Sequence, residues 1–97
     1  MAIQSFRDNL TEKIFFGVKD KETSKFPPDV LGIVQRKLDM IKAAARIQDL
    51  VSPPANRLEK LKGDRQGFWS IRINDQWRII FKWLDDGPHD VQIIDYH

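Results

Sequence analysis

The stretch from Trp69 to Trp83 constrains this chain most, because only one loop length keeps its apolar residues together. Trp69, Ile71 and Ile73 alternate with Phe68, Ser70 and Arg72. Trp77, Ile79, Phe81 and Trp83 alternate with Arg78, Ile80 and Lys82. A period of two gives a β-hairpin with one buried and one freer face. If Asn74, Asp75 and Gln76 form the loop, Ile73 faces Trp77, Ile71 faces Ile79 and Trp69 faces Phe81, all on one apolar face. A two-residue loop opposes Ile73 to Gln76 and breaks that face, a slip that buried sheets resist. Asn and Asp suit such a loop because they tolerate the left-handed conformation. The same register sets Arg72 opposite Arg78 on the freer face, with Lys82 further along. Like charges directly opposed repel. Either this is a solvated outer face along which long side chains reach water, or it is a site for an anion, which the unfavourable pairing favours. Phe68 lies on that basic face and is the candidate for stacking on a base, whereas Trp69 and Trp77 read as core.

Charge points the same way. Residues 57–83 hold seven of the 16 Lys and Arg residues against three acids, a local +4. The remainder holds nine basic and 11 acidic residues, or −2. A concentrated basic segment inside a chain of net +2 is the electrostatic footprint of a phosphate-rich partner.

Ninety-seven residues make a single domain, 1–97. With no cysteine and two histidines, His89 and His97, neither a disulfide framework nor a thiolate or histidine metal site is expected. No cofactor is expected either. No apolar run approaches the ~20 residues of a membrane span. Met1 to Ser5 has no signal-peptide core, so the chain is expected to be cytoplasmic.

In chain order, Ala2–Phe6 can form a short strand. Asn9 or Thr11 can cap a first helix carrying Leu10, Ile14 and Phe15, which Gly17 stops. Residues 19–25 read as a polar loop. Pro27 and Pro28 open the longest helix, where a missing N–H costs nothing. Val30, Val34, Leu38 and Ile41 form its apolar stripe, and the pattern continues weakly to Leu50. Lys62-Gly63-Asp64-Arg65 lacks P-loop spacing and reads as a turn between strands. Residues 85–88 are a turn, with His89 solvated after it, and Val91–Ile94 is a last strand. Helices followed by an antiparallel meander predict an α+β fold, a small antiparallel sheet with the N-terminal helices on one face. The other face, with Arg72, Arg78 and Lys82, is left open. Proton-handling groups are few. The terminal Asp95-Tyr96-His97 is either a frayed tail or a site that the last strand delivers, with Asp95 orienting the His97 ring.

The run LEKLKGDRQGFWSIRINDQWRIIFKW, followed by a C-terminal DYH, resembles the HigB toxins of the RelE superfamily. SFRD near the start and the order of elements fit too. The resemblance implies a bacterial toxin of a type II toxin–antitoxin pair that enters the ribosomal A site and cuts mRNA there. It also implies a helix-turn-helix antitoxin, with operator DNA reached only through that antitoxin. The family's terminal functional residues fall on Asp95, Tyr96 and His97, its strand arginine on Arg78 and its turn lysine on Lys62. Where typical relatives have a histidine two residues before the leucine of LKG, this chain has Glu59. The cleavage needs a base for the 2′-hydroxyl, an acid for the departing 5′ oxygen and cations for the phosphorane, and no metal. Arg78 suits the phosphate because guanidinium matches it bidentately. As an outward-facing residue, Arg78 is expected to matter little to folding. Glu59 and His97 are the proton carriers, with Tyr96 positioning RNA; Lys60, Lys62, Arg65, Arg72 and Lys82 supply phosphate-binding charge. Two other readings remain: a gyrase-poisoning toxin of the same superfamily, and an inactive homologue that only binds an antitoxin. Glu59 could also do no more than offset Lys60 and Lys62.

Overall fold

The computed structural model describes residues 1–96. Two helices precede a four-stranded antiparallel sheet in the order β1-β2-β3-β4. The helices are α1 (Asn9–Phe15) and α2 (Pro28–Ala43). The strands are β1 (Glu59–Lys60), β2 (Phe68–Arg72), β3 (Trp77–Leu84) and β4 (Gly87–Asp95). The hairpin register follows the parity of its apolar residues: Trp69 faces Phe81, Ile71 faces Ile79 and Arg72 faces Arg78. Asn74 turns the loop by accepting from the backbone N–H groups of Gln76 and Trp77 through Oδ1 at 2.9 and 2.8 Å.

One face of the sheet carries the main core. Val34, Leu38 and Ile41 of α2 are fully buried against Ile71, Ile79 and Phe81, with Ile14 of α1 and Val91 of β4. Removing one such side chain typically costs 2–5 kcal/mol, because the cavity cannot close. Several expectations change locally. The cap of α1 is Asp8, whose Oδ1 accepts from Thr11 N at 3.0 Å, rather than Asn9 or Thr11. Helix α2 stops at Ala43, short of Leu50, and the chain resumes as a short 3₁₀ helix, Ile47–Val51. Ala2–Phe6 is extended but joins the sheet through one parallel bridge, Phe6 to Val91. Strand β4 begins at Gly87, so His89 lies inside it, paired with Asp86 at 2.5 Å and opposite Lys82 rather than in a solvated turn.

The main correction concerns the second face. It is not open at its centre. Leu61, Phe68, Ile80 and Ile94 form a smaller buried cluster there, with Tyr96 packed on it. Strand β3 is central, so Ile79, Ile80 and Phe81 are buried consecutively, although they point to alternate faces. Arg78 is only 9% exposed. The alternating pattern named the faces correctly but could not show that Tyr96 and long cationic side chains fold back across one of them.

Candidate functional site

The site is assembled where three segments meet on this second face. Glu59 is opposite Ser70 across the β1–β2 edge, Arg78 lies on β3, and Tyr96 follows β4. Arg78 Nη1 is 3.5 Å from Glu59 Oε1, and the Tyr96 hydroxyl donates to the same oxygen at 3.4 Å. The Arg78 guanidinium lies over the Tyr96 ring, 5.1 Å from its centroid. Its Nη2 donates to the Arg57 carbonyl at 2.8 Å. That carbonyl is aimed inward because Arg57 is left-handed, with φ 46°. The turn before Arg57 is pinned by Asn56, fully buried, whose amide donates to the carbonyls of Leu50 at 3.2 Å and Ser52 at 3.4 Å. Lys37 donates to the Asn56 side-chain oxygen, and burial pulls its ammonium below the usual lysine range.

Beside this cluster lies a cleft of about 520 Å³ lined by Glu59, Lys60, Leu61, Lys62, Asp64, Arg65 and Tyr96. Gly63, with φ 64°, makes the turn that sets Lys62 and Arg65 around it, a conformation that glycine adopts without strain. Glu59, Lys62, Arg65, Arg78 and Tyr96 are therefore brought together. Lys60 lines the same cleft, but its ammonium lies 5.6 Å over the Trp69 ring, on the other side of the sheet edge from Glu59. Arg72 pairs with Asp75 away from the cleft. Lys82 lies over Phe68 at 5.2 Å, with Asp90 3.6 Å from its ammonium. Phe68 is buried under these cations, which removes it as a stacking platform. Asp95 accepts from the Gln76 amide at 3.2 Å. His97 lies outside the described residues. Arg7 was missed by sequence reasoning: its guanidinium covers Phe68 at 5.4 Å. Long-range pairing of residues 4–7 with β4, including the bridge of Phe6 to Val91, brings it here, and no local pattern encodes that. Among the described residues, no three His, Asp or Glu side chains converge as a metal site requires.

Residues 4–97 match the family described as RelE-like toxin of type II toxin–antitoxin system HigB. The chain belongs to that family. It is 39% identical to Toxin HigB-1 of Vibrio cholerae over 85 residues, 88% of this chain and 86% of that one. It is 33% identical to Endoribonuclease HigB of Proteus vulgaris over 75 residues, 77% of this chain and 80% of that one. The YoeB–YefM complex from Staphylococcus aureus contains a chain of the same fold, with a TM-score of 0.63 at 16% identity, covering 100% of this chain and 99% of that one. The α+β fold of this HigB-like toxin is thus shared with that chain, and its sequence places it among the HigB-like toxins.

Proposed function

We propose that this toxin is an endoribonuclease that cuts mRNA in the ribosomal A site by attack of the RNA 2′-hydroxyl on its own 3′-phosphate. The observation that carries the reading is the Glu59–Arg78–Tyr96 cluster at the wall of a basic cleft. A base takes the 2′-hydroxyl proton, the new 2′-oxygen–phosphorus bond forms, and the bond from phosphorus to the 5′ oxygen breaks. An acid protonates that oxygen, leaving a 2′,3′-cyclic phosphate and a 5′-hydroxyl end. Arg78 holds the phosphate, with its fork oriented beforehand by the Arg57 carbonyl and the Tyr96 ring. Glu59 is the base. In the free toxin its carboxylate occupies Arg78; an arriving phosphate takes the guanidinium and releases the carboxylate toward the 2′-hydroxyl. His97 is the acid, Asp95 orients it, and Tyr96 positions the RNA. Lys62, Lys60 and Arg65 add field. The toxin works in the cytoplasm, where a helix-turn-helix antitoxin silences it and links it to operator DNA.

Few proton-transfer groups stand in the free toxin, so the ribosome must position the mRNA. Ribosome profiling after induction tests the reading. Codon-located mRNA cuts are expected. A DNA-damage response without cuts would mean a gyrase poison, and no growth effect would mean an inactive antitoxin-binding homologue.

A further inference from the structure

A second cleft, about 390 Å³, lies next to the first and is lined by Arg7, Asp64, Arg65, Gln92 and Ile94. Asp64 and Arg65 line both, so the two clefts are separated by a single turn of chain, Gly63–Arg65. Apart from the shared Arg65, the second cleft takes no part in the chemistry described above. Its charge is nonetheless held ready. Arg7 rests on the Phe68 ring, and Arg65 and Arg7 have no ion pair among the described residues. An aromatic ring fixes a cation without cancelling its charge, unlike a carboxylate. Asp8, next to Arg7, is already engaged by Thr11 N and by the Gln92 amide, at 3.0 and 3.3 Å. Asp90 is likewise engaged by Ser5 and Lys82. Asp64 is the one remaining carboxylate lining the cleft, set against two guanidinium groups.

Resting on the nuclease reading above, we infer that Arg7 and Arg65 form a second phosphate subsite that takes the mRNA backbone phosphate next to the one being cut. A single strand crossing the first cleft has to continue, and the shared Arg65 wall leads it into the second. Guanidinium groups suit this role because they meet phosphate oxygens in pairs. The contact carries no base information, so it fixes the register of the strand and is indifferent to codon.

Steady-state cleavage of mRNA on programmed ribosomes tests it with Arg7→Gln and Arg7→Lys, alongside binding of a short single-stranded oligoribonucleotide to the isolated toxin. Arg7→Gln should raise KM about tenfold and leave kcat within about twofold. Its plot of log affinity against log salt should be shallower by about 0.7. Arg7→Lys should keep the parent's salt slope, and binding to ribosomes without mRNA should be unchanged. The inference is overturned if Arg7→Gln leaves KM and salt slope unchanged, or if the parent fails to bind the oligoribonucleotide at low salt. It is also overturned if Arg7→Lys is as defective as Arg7→Gln with a lower Tm, which would make Arg7 only a cover for Phe68. Equal loss of binding to mRNA-free ribosomes would assign the cleft to ribosomal RNA and overturn it too. A parent that cuts no mRNA would end the nuclease reading, while the salt slope still scores the subsite.

Discussion

Arg78 and Glu59 hold each other in the free toxin, which makes their substitutions informative in different ways. Arg78 is buried between a carboxylate, a carbonyl and an aromatic ring, so Arg78→Ala should lose both activity and about 1–3 kcal/mol of stability, because partners are left unpaired. Arg78→Lys keeps the charge but loses the planar fork. Its cleavage rate on programmed ribosomes should fall about 10²–10³-fold, the range for removing a transition-state donor. Full activity of Arg78→Lys would remove the bidentate role. Glu59→Gln should lower kcat about 10²–10⁴-fold as a lost general base. It should not raise KM, because the amide competes less than the carboxylate for Arg78. Glu59→His, which restores the residue typical of relatives, should retain substantial activity. If Glu59→Gln cuts as fast as the parent at every pH, Glu59 only balances the neighbouring lysines, and the base is elsewhere.

At the scale of elements, what the sequence encodes locally was legible and what arises from distant contacts was not. The hairpin register followed from parity alone, since a slip of one residue would have turned Trp69, Ile71 and Ile73 outward. The partners of Arg78 and Glu59 could not be read that way. They depend on Asn56 and Arg57 bringing the β1 edge onto the second face, and a fully buried asparagine has no pattern that distinguishes it from a loop residue. Asn56→Leu should therefore destabilise the fold by about 2–3 kcal/mol in chemical denaturation and reduce cleavage although it touches no RNA. Retention of both would show that Arg78 is oriented without this turn. The turn at Ile47–Val51 offers a separate test. Asp49 accepts from Ala45 N at 2.9 Å and Arg46 N at 3.1 Å, and these hydrogen bonds hold its carboxyl below the ordinary 3.8. A depressed folded value stabilises above pH 3.8 and loses that contribution as pH falls through the folded value. Asp49→Asn should thus be less stable at pH 7 and show a flatter loss of stability below about pH 4. A profile parallel to the parent's would remove Asp49 from the acid transition.

For the whole molecule, the sheet separates two tasks. One face is buried under the helices and supplies stability, and the other gathers cations around a small second core. Aromatic rings hold three of these cations, Arg7, Arg78 and Lys82, which spaces their charges without neutralising them all. Such a surface binds an RNA backbone readily but has few groups with which to move protons. Affinity and chemistry should therefore come apart in this toxin: weak, salt-sensitive contact with free RNA, and cleavage only where the ribosome sets the 2′-oxygen in line. The most direct measurement is cleavage of one mRNA by purified toxin, free and on programmed ribosomes, with the same mRNA carrying a single 2′-deoxynucleotide at the cut position. The account predicts cutting of the ribosome-bound ribose form alone, leaving a 5′-hydroxyl end. Equal cutting of free RNA, or of the 2′-deoxy mRNA, would contradict it.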